Sequence, residues 1–499
     1  MESRWPIYTC CRSLGDSDMP RDHLKGVGSC YDIIVIGSGL AGMTAANVLA
    51  RAGHSVLLLE QHYRLGGMAT WFRRPRGNIF DISLHGFPIG MIKSCGKYWN
   101  RDIASRIRRI KAIQFDNPQF SFFTSYDQAD FLDKLVNHFG IEQRSVDEFF
   151  AAVRNMRSYD QSCAQTTTRE LFQQFFPDRP DVWRMLIEPI AYANGSSLDD
   201  PAVTFAIVFA NFMSNGVFIY EGGSDDLEIR MRAELRRNGV DIRIKSLVEK
   251  VVVDGHAARG VIVNGREIES KIVISNAGLK NTIFDLTGEH VLPADYIAQA
   301  RRVRLNNASC QVYIGVKRGE SLEFLGDLFF TSTWPAFDSS KLCAKEITSR
   351  TYSLYYPDIR PGTDRYAIVS STNARYHDWA YQTEDQYDGA KRELIESTLD
   401  ALDRYIPRIR GKIDWVEAST PCTFEHYTLQ SEAASFGTKY EGLQVSMDLP
   451  NKIDGLFHAG SVGLIMSGWL GTMNYGVIVA NKVEALLARR GERREQRQI

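Results

Sequence analysis

The chain has 499 residues, of which 44% are hydrophobic and 24% are charged. This length is too great for one ordinary core and predicts two or three domains, and the composition is typical of a globular protein. Because the formal net charge is −1 at pH 7, the overall charge gives no indication of a nucleic-acid partner.

The N-terminal segment and the cysteines bear on location. The first 29 residues are polar and lack the apolar run of a signal peptide, so residues 1–30 are predicted to form a flexible tail. The cysteines are scattered and form no CxxC pair, which favours free thiols in the reducing cytoplasm. The adjacent Cys10 and Cys11 fit free thiols, with acylation as the alternative. No cluster has the spacing of metal ligands, and no metal is predicted.

The first informative stretch is a glycine-rich turn between a strand and a helix. Residues 33–36 form a charge-free run typical of a buried parallel strand, and residues 40–51 have the composition of a helix. Between them, Gly37, Gly39 and Gly42 have GxGxxG spacing. In a dinucleotide-binding turn these glycines allow the tight turn, the approach of backbone to a pyrophosphate, and close packing of helix on strand. The helix start, with Ser38, Leu40 and Ala41, would offer N–H groups to phosphates.

A second apolar strand follows at residues 55–59 and ends at Glu60. An acidic residue at this distance from the glycines can bind a ribose hydroxyl. The order of strand, turn, helix, strand and acid predicts a Rossmann-like unit. The alternative is a glycine-rich turn in an unrelated α/β protein. Beyond Glu60, the pair Gly66 and Gly67 suggests that backbone passes close to a cofactor.

The next segment resembles a known family. The residues that carry the resemblance are Glu60-Gln61-His62, Gly66-Gly67, Thr70, Phe72, Phe80-Asp81 and His85-Gly86. They resemble the N-terminal block of phytoene-desaturase-like flavoproteins, and most closely the carotenoid isomerase and retinol saturase branch. The resemblance implies non-covalent FAD, contacts from Gln61 and Met68, and a long hydrophobic polyene or related lipid as substrate. Met68 stands where many relatives have a polar or basic residue. His85 is a candidate proton donor near the flavin, or a histidine hydrogen-bonded within a structural loop.

Two stretches raise the question of membrane contact. Residues 100–111 interleave basic side chains with Ile103, Ile107 and Ile110 at helical spacing, which predicts a basic amphipathic helix. Its charged face is either solvated or in peripheral contact with anionic lipid. Residues 202–220 carry no charge and are long enough to suggest a membrane span. Their polar residues favour a buried core helix or the wall of an apolar substrate tunnel.

The rest of the chain follows the same family pattern. Residues 221–238 are predicted to form a helix, followed by strands and a hairpin turning at Asn264-Gly265. In the family, the residue at the position of Val248 contacts adenine through its backbone. Near the C-terminus, a short strand leads to Gly460 and Ser461, and a helix is predicted to begin near Ser467 and Gly468. Such a helix start would direct N–H groups at the flavin pyrimidine edge.

Together these features predict an α/β fold. A Rossmann-like FAD-binding domain of glutathione-reductase type, similar to that of amine oxidases, would be interleaved with an α+β substrate domain. The FAD-binding domain is assigned to residues 31–100, 217–300 and 415–488, the substrate domain to 101–216 and 301–414, and a basic tail to 489–499.

The predicted function is an FAD-dependent oxidoreductase acting on C–C double bonds of a hydrophobic polyene or isoprenoid-type lipid. Desaturation, saturation and cis–trans isomerisation would use the same site. One alternative is a flavin amine oxidase, for which Trp469 and Tyr475 are the candidate flavin-facing aromatics. The other is a non-enzymatic prenyl- or lipid-binding chaperone of the same fold.

Overall fold

A computed structural model describes residues 22–82, 86–156, 166–360, 363–463 and 466–496. Cys10, Cys11 and His85 lie outside the described residues. The strands are β1 Cys30–Ile36, β2 Val56–Leu59, β3 Trp71–Arg74, β4 Asn78–Asp81, β5 Phe87–Pro88, β6 Ile107–Arg109, β7 Ile113–Asp116, β8 Ser121–Thr124, β9 Val217–Tyr220, β10 Asp241–Arg243, β11 Val248–Asp254, β12 Ala257–Val263, β13 Arg266–Ser275, β14 Ala308–Val316, β15 Leu328–Ser332, β16 Ser349–Tyr355, β17 Ala367–Ala374, β18 Ile413–Ser419 and β19 Leu456–His458.

Helices cover the sheets and form a separate cluster. They are α1 Leu40–Arg51, α2 Gly90–Tyr98, α3 Arg101–Ser105, α4 Gln128–Asp133, α5 Gln143–Asn155, α6 Thr168–Phe175, α7 Pro180–Asn194, α8 Ala202–Met213, α9 Gly223–Arg237, α10 Ala294–Arg302, α11 His377–Ala380, α12 Glu384–Asp403, α13 Ile409–Lys412, α14 Pro421–Thr428, α15 Glu441–Lys452 and α16 Gly468–Gln496.

The first sheet has a parallel centre. β10, β2, β1 and β13 lie side by side in that order, and β19 pairs with the C-terminal half of β13. Ile33, Ile34 and Val35 of β1 are fully buried, as expected for a strand covered on both faces. The carboxyl ends of these strands meet at one edge. This edge therefore gathers the residues that follow β1, β2, β13 and β19.

An antiparallel extension, β11 and β12, is attached to the N-terminal half of β13. The hairpin turns where predicted, at Asn264 and Gly265, which both have positive φ. Two consecutive positive φ values match the right-handed twist of the flanking strands.

The second sheet has the order β18-β14-β17-β16-β15-β7-β8. The side chains of strand β14 show how the two faces of this sheet differ. Cys310, Val312 and Ile314 pack in a core with α12, whereas Gln311 and Tyr313 line a cavity on the other face. A separate core lies between the helices α5, α6, α7 and α8 and the strands β7 and β15. The charge-free residues 202–220 thus form helix α8, followed by strand β9.

The predicted basic helix at residues 100–111 is wrong. Helix α3 ends at Ser105, and Ile107–Arg109 form a strand that pairs with β9. Ile103, Ile107 and Ile110 are nevertheless buried. Ile103 lies on α3 and Ile107 on β6, so the helical spacing of the three residues does not require one continuous helix. A basic side chain of this segment forms an ion pair with a distant element, since Arg106 pairs with Asp226 on α9.

Within the described ranges, residues near both termini contact the rest of the fold. Leu24, ahead of β1, is buried in the core that surrounds the first sheet. At the other end, α16 continues to Gln496 through most of the predicted basic tail, and Arg490 forms an ion pair with Asp454. Among the helices of the described ranges, none combines the length and the apolar character that crossing a bilayer requires.

Candidate functional site

One large cavity runs from the carboxyl edge of the first sheet to the face of the second sheet. Its volume is about 1240 Å³, which exceeds the usual range for a single small-ligand pocket. The predicted site residues that line it are Gly37, Ser38, Gly39, Leu40, Ala41, Glu60, Gln61, Gly66, Gly67, Met68, Val248, Ser461, Ser467 and Gly468. Segments far apart in sequence therefore meet at one site.

Gly42 and Gly460 lie behind the cavity wall. A Cβ on Gly42 would lie 2.3 Å from the carbonyl oxygen of Gly37, so this glycine allows α1 to pack against the end of β1. A Cβ on Gly460 would lie 2.4 Å from the carbonyl oxygen of Ala277 and 2.5 Å from Nε2 of His458. Both glycines bring neighbouring backbone close together at the edge of the sheet.

The glycine turn itself has the geometry that the sequence predicts. Gly37 has φ +88°, a left-handed conformation that side chains rarely adopt. Gly39 precedes α1, and no side chain caps the first N–H groups of that helix. The backbone N–H of Gly66 donates to Ser38 O at 2.9 Å, and this bond holds the pair Gly66 and Gly67 against the glycine turn. The first N–H groups of α1 belong to residues that line the cavity, and they can bind phosphate oxygens.

Asn276 occupies the space beside Gly39, and sequence reasoning missed it as a site residue. A Cβ on Gly39 would lie 2.6 Å from Asn276 Oδ1. The Asn276 amide donates to Ala459 O at 3.0 Å, and its buried Oδ1 accepts no hydrogen bond from the described residues. The sequence indicates Asn276 only through its position directly after β13. Residues that follow neighbouring parallel strands lie at the same edge of the sheet.

Glu60 is held by the turn that it faces. One carboxylate oxygen accepts from the backbone N–H of Ser38 at 2.9 Å and from its hydroxyl at 2.6 Å, and the other accepts from the N–H of His62 at 2.7 Å. Burial raises the pKa of the Glu60 carboxyl, and these hydrogen bonds oppose that rise. The oxygen that accepts from His62 retains acceptor capacity for a ligand hydroxyl.

The C-terminal helix begins at the predicted position. Helix α16 starts at Gly468, which has φ +64°. A Cβ on Gly468 would have as its nearest described neighbour Phe436 Cε1, at 4.0 Å, so the helix start faces open cavity. Further along α16, a Cβ on Gly476 would lie 2.3 Å from Ala41 O, and this glycine lets α16 pack tightly against α1. The starts of both helices thus face the same cavity.

A buried polar chain fixes the wall behind Gly460. Nε2 of His458 donates to Ala277 O at 3.0 Å, and Nδ1 accepts from the Ser446 hydroxyl at 2.6 Å. The Tyr475 hydroxyl lies 2.5 Å from the same Ser446 oxygen. Burial lowers the pKa of His458 to about 4, so the imidazole is neutral at physiological pH.

The two aromatics considered for an amine oxidase site are separated. Trp469 lines the cavity and stacks on Phe87, with ring centroids 5.4 Å apart. Tyr475 is buried in the polar chain with Ser446 and is not among the residues that line the cavity. The described structure therefore does not place Trp469 and Tyr475 as a pair facing one ligand.

The far lobe of the cavity is apolar. It lies between α7, α8 and the second sheet, and the side chains that line it are Phe87, Ile113, Tyr126, Ile190, Tyr192, Ile207, Val208, Phe212, Val217, Leu328 and Phe330. Helix α8 is both a core helix and a cavity wall, since Phe205 and Phe209 are buried while Val208 and Phe212 face the lobe. The tunnel-wall and core-helix alternatives therefore both hold.

Asp81, one of the residues that carry the family resemblance, forms a buried network of hydrogen bonds and an ion pair. Its carboxylate accepts from the backbone N–H of Ser224 at 3.0 Å, near the start of α9, and from Arg360 at 2.7 Å. Arg360 also pairs with Asp225. This buried network ties the β3–β4 hairpin to α9 and to the second sheet, and it supports the cavity wall at Thr70, whose carbonyl accepts from Ser224.

The residues present fit a flavin dinucleotide. Donors and acceptors along one side of the cavity come from two helix starts, the Glu60 carboxylate and the buried Asn276 Oδ1, which has no partner among the described residues. In the described part of the chain, no three His, Cys, Asp or Glu side chains converge as a metal site. His85, the predicted proton donor, lies outside the described residues.

Comparison with known proteins identifies the family. Residues 40–473 match the family of flavin-containing amine oxidoreductases. The chain belongs to this family, and it is a flavin-containing oxidoreductase.

Among named relatives, all-trans-retinol 13,14-reductase of Danio rerio is 22% identical, covering 82% of this chain and 78% of the relative. Prolycopene isomerase of Daucus carota is also 22% identical, covering 94% and 83% of the two chains. These relatives confirm the resemblance to the retinol saturase and carotenoid isomerase branch.

Solved structures agree on the fold. Putrescine oxidase bound to putrescine superposes with a TM-score of 0.65 at 14% identity, covering 91% of this chain and 99% of that one. An oxidoreductase from Methanosarcina mazei gives a TM-score of 0.62 at 16% identity, covering 89% and 99%. The predicted α/β fold of amine-oxidase type is confirmed.

Proposed function

We propose that this member of the flavin-containing amine oxidoreductase family uses FAD to act on C–C double bonds of a hydrophobic polyene or isoprenoid-type lipid. The reaction is a desaturation, a saturation or a cis–trans isomerisation. The observation that carries the proposal is the continuity of the cavity, which joins the glycine turn at Gly37 to the apolar lobe around Phe330. The two named relatives act on retinol and prolycopene, judged by their names.

FAD is preferred to a smaller flavin because the cavity offers sites for both ends of a dinucleotide. Glu60 and Val248 line one end and would hold the adenosine part, and Gly468 would face the flavin ring system. The glycine turn between them would bind the pyrophosphate. We assign FAD binding to residues 31–100, 217–300 and 415–488, and substrate binding to 101–216 and 301–414.

When bound, the flavin supplies the hydride and electron chemistry. The chain's own contribution is orientation, exclusion of water and electrostatics. The apolar lobe would align an extended lipid along α8, with Val208 and Phe212 on one side and Phe330 on the other. Because the lobe is lined largely by apolar side chains, it would exclude water from the reacting double bond. The start of α16 at Gly468 would stabilise negative charge at the flavin.

Mass spectrometry of the small molecules released from the purified protein tests this proposal. We expect FAD in equimolar amount, released on denaturation without covalent attachment, together with a long apolar lipid. A protein that contains no flavin and takes up none on incubation with FAD would contradict the proposal and favour a lipid-binding chaperone.

Replacement of Glu60 by alanine is expected to weaken FAD binding. Removal of a charged acceptor for hydroxyl groups costs about 1.5–3 kcal/mol of binding free energy. The dissociation constant of FAD for the variant, measured by quenching of flavin fluorescence, checks this. Glu249→Ala is the control, because Glu249 also lines the cavity but is exposed. Equal FAD affinity of the Glu60 variant and the wild type would rule out the assigned role.

We also propose peripheral, reversible contact with a membrane surface, in a cytoplasmic protein. With the basic helix excluded, the support is an exposed aromatic pair. Phe123 and Phe324 are 47% and 41% exposed, and their rings stack 6.4 Å apart. Lys111 lies beside them, with Nζ 5.8 Å from the ring of Phe324. Lys111 also pairs with Asp358 at 2.8 Å, so the exposed aromatic rings are the main support for contact with a lipid interface.

The double variant Phe123→Ser and Phe324→Ser is expected to sediment less with anionic lipid vesicles than the wild type does. Exposed Tyr381→Ser serves as the control, since this side chain is 79% exposed. Vesicle binding that is unchanged in the double variant would exclude the aromatic pair as the contact.

A further inference from the structure

We infer that Arg64 supplies the positive charge that neutralises the cofactor's pyrophosphate. Met68 occupies the position where many relatives of the resembled family carry a polar or basic residue. The inference rests on the proposed FAD cofactor and assigns to it a residue outside the glycine and acid motifs.

Cations that line the cavity are few. In the described part of the chain, the arginine and lysine residues among its lining are Arg64 and Arg74. Arg74 is neutralised by Glu417, which it contacts through Nε at 2.8 Å and Nη2 at 3.0 Å. A bidentate pair of this kind leaves little charge for a ligand. The charge of Arg64 is therefore the one available within the described cavity.

Arg64 has no acidic partner among the described residues. Its guanidinium carbon lies 3.6 Å from the ring centroid of Trp71, so the group lies over the face of the indole. Its Nε is buried and makes no hydrogen bond to any described residue. A buried donor left unsatisfied is costly, and such a group calls for a partner.

Two further orphaned polar atoms lie in the same segment. Trp71 Nε1 and Thr70 Oγ1 are buried and lack hydrogen-bond partners among the described residues, and both side chains line the cavity. Trp71 is 8% exposed and Thr70 is 7% exposed. Two N–H donors and a hydroxyl grouped in this way favour an acceptor-rich, anionic ligand.

The position of Arg64 relative to the glycine turn identifies that ligand. Arg64 precedes Gly66 by two residues, and Gly66 bridges directly to Gly39. A Cβ on Gly67 would lie 3.2 Å from the Cα of Gly39. The segment that carries Arg64 is therefore packed against the turn whose N–H groups suit a pyrophosphate. A planar guanidinium held on an aromatic ring is well suited to phosphate oxygens.

The test compares flavins with and without phosphate. The full-length chain, freed of flavin, is titrated with FAD and with riboflavin, and binding is followed by flavin fluorescence. Arg64→Gln is expected to raise the dissociation constant of FAD by about ten- to a hundredfold. It should leave riboflavin affinity unchanged and should reduce the loss of FAD affinity with added salt. Arg73→Gln, at an exposed arginine of the nearby strand β3, is the control and should match the wild type.

A rescue variant separates charge from folding. Arg64→Gln combined with Met68→Arg is expected to recover FAD affinity, because it places a cation at the family's position. If Arg64→Gln does not fold, Arg64→Lys carries the test, with intermediate FAD affinity and unchanged riboflavin affinity expected.

The outcomes that overturn the inference are distinct from those that overturn the proposed function. Equal FAD affinity of Arg64→Gln and wild type, or an equal loss for FAD and riboflavin, would show that Arg64 does not bind phosphate. A wild-type chain that binds neither flavin would overturn the proposed function as well.

Discussion

Replacement of Asp81 by alanine is expected to destabilise the protein by about 3–5 kcal/mol, the typical cost of removing one partner from a buried ion pair. The side chain of Asp81 is 1% exposed and that of its partner Arg360 is 10% exposed. Loss of the carboxylate would leave the Arg360 guanidinium with Asp225 as its acidic partner, and would leave the Ser224 N–H without its acceptor. Chemical denaturation, followed by circular dichroism, measures the change in the free energy of unfolding.

The control for Asp81 is an exposed ion pair. Asp199 pairs with Arg169, and their side chains are 72% and 49% exposed. Asp199→Ala should change the free energy of unfolding by no more than about 1 kcal/mol, since exposed pairs contribute little. Similar stabilities for the Asp81 and Asp199 variants would contradict the structural role given to the network.

Replacement of Gly42 by alanine is expected to cost about 1–3 kcal/mol of stability through overpacking, and to reduce flavin retention. The added Cβ would lie 2.3 Å from Gly37 O and 2.9 Å from Asn276 Oδ1. Since the first of these is backbone, the glycine turn itself must shift. The flavin content of the purified variant and its denaturation midpoint report the two effects.

A second helical glycine provides the comparison for Gly42. Gly389 lies within α12, and a Cβ there would meet nothing within 4 Å. Gly389→Ala should therefore stabilise the helix by about 0.5–1 kcal/mol. If both variants behave alike, the close approach at Gly42 is not what requires glycine there.

Local pattern was sufficient for the parts of the fold that are organised along the chain. The charge-free run at Ile33, the glycine spacing and the turn at Asn264 each depend on neighbouring residues, and the structure contains all three features. The start of α16 at Gly468 also agrees with the helix start that the family pattern predicts near Ser467 and Gly468.

Features that depend on long-range packing could not be read in this way. Ile107 fits helical spacing, yet it pairs with β9, which lies more than a hundred residues away in the chain. Asp81 and Arg360 are 279 residues apart in sequence. Whether Arg64 or Arg74 retains its charge for a ligand depends on Glu417, whose proximity no local pattern indicates.

The most direct test of the central claim is conversion of a polyene lipid by the FAD-loaded protein. A retinol-type alcohol and a cis-carotenoid are incubated with the oxidised and with the reduced holoprotein, without oxygen, and the products are separated by chromatography. We predict that at least one polyene changes in the number or the geometry of its double bonds, and that the change requires bound FAD. Polyenes left unchanged in both flavin states, with reduction of the flavin and peroxide release on addition of amines in air, would contradict the account and assign the protein to amine oxidation.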